Sequence, residues 1–187
     1  MRPPSWLSYP VAVLILAAWV PAQRRHDPLF PAEVDQLRDT AQEPEMRLKL
    51  YVQFARARLD AVAQARIDPK VTDKAEAIHD RLQDFVDVYD ELNDNVDTFA
   101  DRRDDIRKVL KTIIEADTEF QAKLRAVKDS ASAPSAEAKE YEFVLSNAVD
   151  AVDSSAKDHR DLLNEQEDLA KQKRLIKPGV PDTEKKK

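Results

Sequence analysis

Glycine and cysteine are nearly absent from this chain of 187 residues, which contains a single glycine, Gly179, and no cysteine. Loops that cradle phosphates and turns that bind dinucleotides need glycine, because the backbone there must adopt a positive φ or approach the ligand closely. Cysteine would be needed for a thiolate metal ligand, a thiol nucleophile or a lipid-modified N-terminus. The composition therefore argues against nucleotide sites of the Walker and Rossmann types and excludes thiol chemistry.

Aromatic residues are scarce as well, at 6%, whereas charged residues make up 35% and the formal net charge is −6. Helices with broad solvated faces typically have this composition. General binding of nucleic acid depends on Lys and Arg side chains that neutralise phosphates, so the acidic balance argues against that function.

Residues 1–22 have the pattern of a signal peptide. The segment 6–20 carries no charge, and Val20 and Ala22 stand at the −3 and −1 positions of a cleavage site. We therefore predict cleavage before Gln23 and export to the periplasm or the extracellular space. The alternative is an uncleaved segment that tethers the protein to the inner membrane, favoured by the length of the apolar run and by valine at −3.

The first long helix is predicted to begin at Pro44, since proline fits the first position of a helix, and to end near Arg66. Before it, residues 23–43 form a leading segment in which 32–41 is compatible with a short helix. Apolar side chains cover more than half of the circumference of the long helix. We expect a helix of this kind to contact neighbours on two sides.

A heptad pattern continues from Ile78 to Val127 without any glycine or proline. Such a sustained repeat predicts coiled-coil-like packing, and only Arg103 and Asp117 interrupt it. The positions of this seam are Ile78, Leu82, Phe85, Tyr89, Leu92, Val96, Phe99, Arg103, Ile106, Leu110, Ile113, Asp117, Phe120, Leu124 and Val127.

The number of helices depends on whether residues 93–98 form a turn. Their Asn, Asp and Thr side chains compete for backbone hydrogen bonds and favour turns. A turn predicts an all-α antiparallel bundle of four helices, at roughly 44–66, 70–93, 98–129 and 135–174, with Asp68 as the cap of the second. Without a turn there are three helices with one very long middle helix. We favour four helices, because an extended arrangement with one very long helix would leave part of the apolar face of the first helix exposed to solvent.

The last predicted helix has a seam of its own, made up of Tyr141, Leu145, Ala148, Val152, Ser155, His159, Leu162, Gln166 and Leu169. The predicted bundle thus spans 44–174, and residues 175–187 are a charged tail with too few apolar residues to fold. Between Lys171 and Lys187 seven basic and two acidic residues give a net charge of +5. This segment is compatible with weak contact to an anionic envelope surface, although we favour a solubilising role.

Two pairs of residues resemble ligands of a metal ion or of haem, but we interpret them as surface or core residues without a ligand. Glu76 and His79 match one half of the motif with which helical bundles hold two metal ions, but the motif occurs once and points away from the seam. Met46 and His159 lie on the first and last helices, as the axial ligands of some haem bundles do. We therefore predict no cofactor and no metal site.

Two groups of aspartate and glutamate follow helical spacing, one between Asp84 and Asp97 and one between Asp101 and Asp105. Straight helices hold such carboxylates too far apart to surround one cation, so we interpret both groups as solvated faces. Arg102, Arg103 and Arg107 are expected to pair with the second group.

No spacing in the sequence predicts catalytic residues, and His26, His79 and His159 fall in different segments. The chain is therefore predicted to be a non-enzymatic interaction or scaffold protein of a bacterial cell envelope. It would bind a protein partner, or a second copy of itself, through helical seams. One alternative is a periplasmic helper that binds unfolded or amphipathic clients, and another, less favoured, is a bundle that holds haem or metal.

The prediction of export is tested by expressing the full chain in a bacterial host and measuring the mass of the mature protein. Because the signal pattern ends at Ala22, we expect a periplasmic protein that begins at Gln23. As a control, Leu14→Arg with Leu16→Arg places charge in the apolar segment and should retain the chain in the cytoplasm. A membrane-bound protein that still begins at Met1 would establish the tethered alternative instead.

Overall fold

The computed structural model describes residues 27–130 and 136–176, which hold five α-helices and no strand. The predicted signal peptide and most of the basic tail lie outside the described residues. The prediction of an all-α bundle is confirmed, but the helix count of four is wrong, because a short helix in the leading segment precedes the four long ones. The helices are α1 (Pro31–Asp39), α2 (Pro44–Ile67), α3 (Lys74–Asp101), α4 (Arg107–Ser130) and α5 (Ala136–Ile176).

The four long helices stand at the corners of a bundle in the order α2, α3, α5, α4, and each packs against its two neighbours. α2 and α3 run antiparallel, as do α4 and α5. α2 and α4 run parallel, since Arg56 contacts Glu119 and, one turn further along both helices, Asp60 contacts Lys123. Within the described residues no helix is long and apolar enough to cross a membrane.

The predicted seam forms the core. Every seam position from Ile78 to Val127 is buried except Arg103. At the centre the rings of Phe85, Tyr89 and Phe120 pack on one another, with centroids 5.5 to 6.1 Å apart. Since α3 and α4 occupy opposite corners, these large side chains meet across the middle of the bundle.

α2 contacts neighbours on two sides, as its wide apolar surface predicts. It packs on α3 and α4 inside the bundle, while α1 covers its outer face. On that face the guanidinium of Arg58 is buried and donates hydrogen bonds to both carboxylate oxygens of Glu33, one of them 2.9 Å long. It also donates to the carbonyl of Pro28 and lies 4.3 Å from the centre of the Phe30 ring. These partners compensate the cost of burying the charges and hold α1 in place.

The prediction of a turn at residues 93–98 is wrong, and so is the three-helix alternative. α3 continues through this segment because its polar side chains find partners without breaking the helix. Asn95 and Thr98 donate to backbone carbonyls four residues earlier, each at 2.7 Å. Asn93 donates instead to Ser155 on α5. α3 also begins later than predicted, at Lys74, because Asp73 and not Asp68 accepts the hydrogen bond that caps it.

The chain turns between α3 and α4 at residues 102–106. The amide of Asp104 donates to the carbonyl of Phe99 and that of Arg103 to the carbonyl of Ala100, which is the Schellman pattern of helix ends. Glycine normally occupies the left-handed position of this motif, but here it is Arg103, with φ 61°. The turn therefore lacks its usual sequence signal.

Replacing Arg103 by glycine should stabilise the protein by about 1 kcal/mol, because a side chain in the left-handed conformation costs roughly that much. Arg102→Gly serves as the matched control, since Arg102 is in the right-handed helical region and should lose stability on the same change. Urea unfolding followed by circular dichroism measures both. Equal destabilisation by the two glycines would contradict the assigned turn.

Candidate functional site

The residues that resemble ligand sets are not brought together. Glu76 is exposed near the start of α3, and His79 is a surface side chain whose Nδ1 lies 3.2 Å from Asp80. Met46 is about half exposed on α2, which does not pack against α5, the helix of His159. Across 27–130 and 136–176, no group of three His, Asp or Glu side chains is placed to hold a metal ion.

A buried polar cluster instead joins three helices at the centre of the bundle. Asp117 of α4 is 0% exposed, and its two carboxylate oxygens accept hydrogen bonds from α3 and α5. The hydroxyl of Tyr89 donates to Oδ1 at 2.7 Å, and Nδ1 of His159 lies 2.9 Å from Oδ2. Because the carboxylate accepts from both sides, burial of this charge is compensated by hydrogen bonds.

The cluster continues toward the surface between α3 and α5. One turn beyond Tyr89, the amide of Asn93 donates to the hydroxyl of Ser155 at 3.0 Å. Burial raises the pKa of the Tyr89 phenol, and the neighbouring charge of Asp117 raises it further. Tyr89 is therefore a neutral donor, which is the role that the acceptor oxygen of Asp117 requires.

A cleft of about 330 Å³ opens between α3 and α5 directly above this cluster. His159 and Asn93 line its inner part. The remaining lining residues are Val96, Asp97, Ala100, Asp101, Ser155, Asp158 and Leu162. Polar side chains, carboxylates and apolar walls thus meet in one concave surface, which is more polar than the usual small-molecule site.

The chemistry of the cleft favours binding over catalysis. A histidine held by a buried carboxylate has a fixed orientation, as general bases and metal ligands often do. Covalent catalysis would also need a nucleophile bonded to that histidine. Ser155 lines the same cleft, but its hydroxyl bonds to Asn93 of α3 and not to His159.

The acidic groups lie where a solvated face was predicted. The pKa of Asp90 is raised by partial burial and, to a smaller extent, by the neighbouring charges of Asp87 and Asp94. The carboxylates of this group therefore repel one another. In the second group Arg102 contacts Asp104 at 3.4 Å, and Arg107 contacts Asp105 at 2.6 Å. Two of the three expected pairings with arginine are therefore observed.

The end of α5 is a second surface of interest. α5 has 41 residues, whereas α2, α3 and α4 have 24 to 28. Gln166 still contacts the turn between α3 and α4, where it accepts from the amide of Ile106 and donates to the carbonyl of Asp104. The residues after it, 167–175, extend about 14 Å further at 1.5 Å per residue. Glu167, the first of them, still pairs with Lys111 of α4 at 3.1 Å. We call this segment the C-terminal arm.

The sequence contained weak signals of the polar cluster. Asp117 interrupts the apolar seam that runs from Ile78 to Val127. His159 and Ser155 are polar positions in the seam of the last helix. Their pairing depends on the depth at which α4 and α5 meet, which the spacing along each helix does not give. Asn93 was assigned to a turn, so its place in the cluster was missed.

Comparison with known proteins gives no further guide to the site: no protein-family model, no curated protein and no solved structure matches the chain.

Removing the hydroxyl of Tyr89 should destabilise the bundle, because Asp117 would lose one of its two hydrogen bonds. We expect Tyr89→Phe to lower the free energy of unfolding by about 1.5 to 3 kcal/mol, as for bonds to charged groups. Tyr51→Phe is the matched control: Tyr51 is also buried, but the hydrogen bonds of its hydroxyl to Arg47 and Glu91 are long, at 3.4 and 3.5 Å. Urea unfolding should show a clearly smaller loss of unfolding free energy for Tyr51→Phe than for Tyr89→Phe. Equal losses would contradict the structural role of the Asp117 carboxylate.

Proposed function

We propose that this chain is an exported, non-enzymatic interaction protein of a bacterial cell envelope, and that its C-terminal arm associates with the arm of a second copy. Export rests on the signal pattern of residues 1–22. The proposal of interaction rests chiefly on one observation, namely that α5 continues past the bundle as a helix with exposed apolar side chains.

The exposed apolar residues of the arm support this interpretation. Leu175 is 85% exposed and Leu169 is 47% exposed. Leu169 continues the α5 seam, whose earlier positions from Tyr141 to Val152 are buried in the bundle. Leu175 lies six residues further along, about 120° around the helix from Leu169, so the arm exposes apolar side chains on two of its sides.

The charges of the arm are self-complementary. Its first turn carries the acids Glu167 and Asp168, and its last turns carry the bases Lys171, Lys173 and Arg174. Within one copy Glu167 pairs with Lys111 of α4 at 3.1 Å and Asp168 with Lys171 at 2.9 Å, so both pairs would have to exchange partners in a dimer. In an antiparallel pair of arms, the acidic turn of each copy would lie against the basic turn of the other. A two-fold interface requires this self-complementarity, so we propose a second copy as the occupant of the arm.

The alternative of a client-binding helper has less support. Such a helper needs a contiguous exposed apolar patch. In the described part of the chain, the exposed large apolar side chains are spread over separate places: Phe30 before α1, Met46 and Ile67 at the two ends of α2, and Phe143, Leu169 and Leu175 along α5.

The proposal predicts that the mature chain from residue 23 self-associates and that charge reversal in the arm prevents it. Glu167→Lys with Asp168→Lys makes the arm uniformly basic, and Lys173→Glu with Arg174→Glu makes it acidic. Each variant alone should remain monomeric in sedimentation equilibrium, because like charges then face each other. An equimolar mixture should regain the dimer, since the opposite charges face again.

Phe143→Ser is the control for loss of an exposed apolar side chain, because Phe143 is 85% exposed on α5 but lies outside the arm. It should leave the dimer unchanged, whereas Leu169→Ser with Leu175→Ser should weaken it. Thermal unfolding of all variants checks that the bundle is intact. A mature chain that stays monomeric at high concentration, or a mixture that fails to dimerise, would refute the proposal.

A further inference from the structure

We propose that α1 is a strap that opens and closes on α2 as one unit while the four long helices stay packed, and that it thereby controls access to two aromatic side chains of α2. The strap is separate from the C-terminal arm and does not depend on self-association. Three features of the structure support it: the isolation of α1, the hydrogen bonds of Glu33 and Arg58, and the surface that α1 covers.

α1 has few attachments to the rest of the chain. It is 9 residues long and, among the five described helices, packs only against α2. Leu37 is the one apolar side chain of α1 that is buried. A helix this short is not stable alone in water, because nucleation is unfavourable and few hydrogen bonds follow it. α1 is therefore helical only while it is docked, and it unfolds when it leaves α2.

The carboxylate of Glu33 links the folding of α1 to its docking. Its Oε2 accepts a hydrogen bond from the amide of Phe30 at 2.8 Å, which caps the first turn of α1. Its Oε1 accepts a hydrogen bond from the guanidinium of Arg58 on α2 at 2.9 Å. Because one buried side chain makes both contacts, helix formation and docking favour each other, and α1 closes as one unit.

Closure leaves Arg58 with an unsatisfied donor. Arg58 is 4% exposed, and its Nε is buried without a hydrogen-bond partner among the described residues. Such a donor is less stable than one that water can reach. Opening of α1 removes the cover formed by Pro28, Phe30 and Glu33 and admits water to the guanidinium. The closed and open states are therefore closer in free energy than the hydrogen bonds of the closed state alone indicate.

α1 covers an aromatic stripe of α2, which is formed by Tyr51 and Phe54. The contacts of α2 with α1 extend from Arg47, which donates to the carbonyl of Leu37 at 2.7 Å, to Arg58. At 100° per residue, Tyr51 and Phe54 lie between these two arginines within the same arc of about 60°. Both rings are buried, with their centroids 6.4 Å apart. Opening of α1 uncovers these rings between two guanidinium groups.

Hydrogen exchange of the mature chain, followed by NMR at low concentrations of urea, tests the independence of the strap. We expect the amides of residues 34–39 to share one protection factor, roughly tenfold or more below that of the slowest amides of α2 to α5. Their exchange should depend little on urea, because opening of α1 exposes little surface. Protection and urea dependence equal to those of the bundle would show that α1 leaves only on global unfolding. Protection that changes gradually along α1 would show a fraying helix end. Either result would overturn the proposal.

Two variants with the same change of charge separate the strap from its surroundings. Glu33→Lys with Leu37→Ser removes both buried anchors of α1 and sets two cations against each other at Arg58, so α1 should stay open. Asp35→Lys with Gln36→Ser makes the same change of charge at two exposed positions of α1 and should leave it closed. Hydrogen exchange should show residues 34–39 unprotected in the first variant and protected in the second, with α2 to α5 protected in both.

The dye 8-anilinonaphthalene-1-sulfonate reports access to the aromatic stripe, because this anionic aromatic molecule binds exposed apolar surface. We expect its fluorescence with the open variant to be at least threefold above that with the closed variant. Equal fluorescence with the two variants would overturn the control of access. Loss of protection throughout α2 to α5 in the open variant would show that α1 is part of the cooperative bundle, and would likewise overturn the proposal.

Discussion

The buried carboxylate of Asp117 is the constraint on which the arrangement of the bundle depends. An unpaired charge at this depth would cost several kcal/mol, so α3 and α5 must bring donors to it at the same level. Tyr89 and His159 do so from two different helices. An apolar seam tolerates a shift of one heptad, whereas this three-way hydrogen-bond cluster is compatible with a single alignment, as buried polar residues are in coiled coils.

The same constraint explains why a cleft lies beside the cluster. Polar residues continue from Tyr89 through Asn93 on α3 and from His159 back to Ser155 on α5, so hydrogen bonds between α3 and α5 follow directly on the packed aromatic rings of the centre. Amide and hydroxyl side chains pack less tightly than interlocking apolar side chains. The carboxylates of Asp97 and Asp158 both line this cleft, where like charges repel each other.

The sequence predicted the composition of the core better than the course of the chain. Heptad spacing identified the buried residues of α3 and α4, because burial follows the helical period on both sides of a turn. The turn itself was misplaced, since Arg103 adopts a conformation that normally indicates glycine, and since Asn95 and Thr98 bond to their own helix. The site could not be predicted at all, because it depends on which seam residues of separate helices meet.

The cleft and the C-terminal arm differ in their charge. In the arm, acids precede bases along one helix, so the complement of the arm is another helix with the reverse order of charge. In the cleft, the carboxylates of Asp97, Asp101 and Asp158 have no basic residue beside them among the described residues that line it. Exposed pairs of charges stabilise helices little, whereas partly enclosed charges interact more strongly. Association at the arm is accordingly expected to be weak and sensitive to salt.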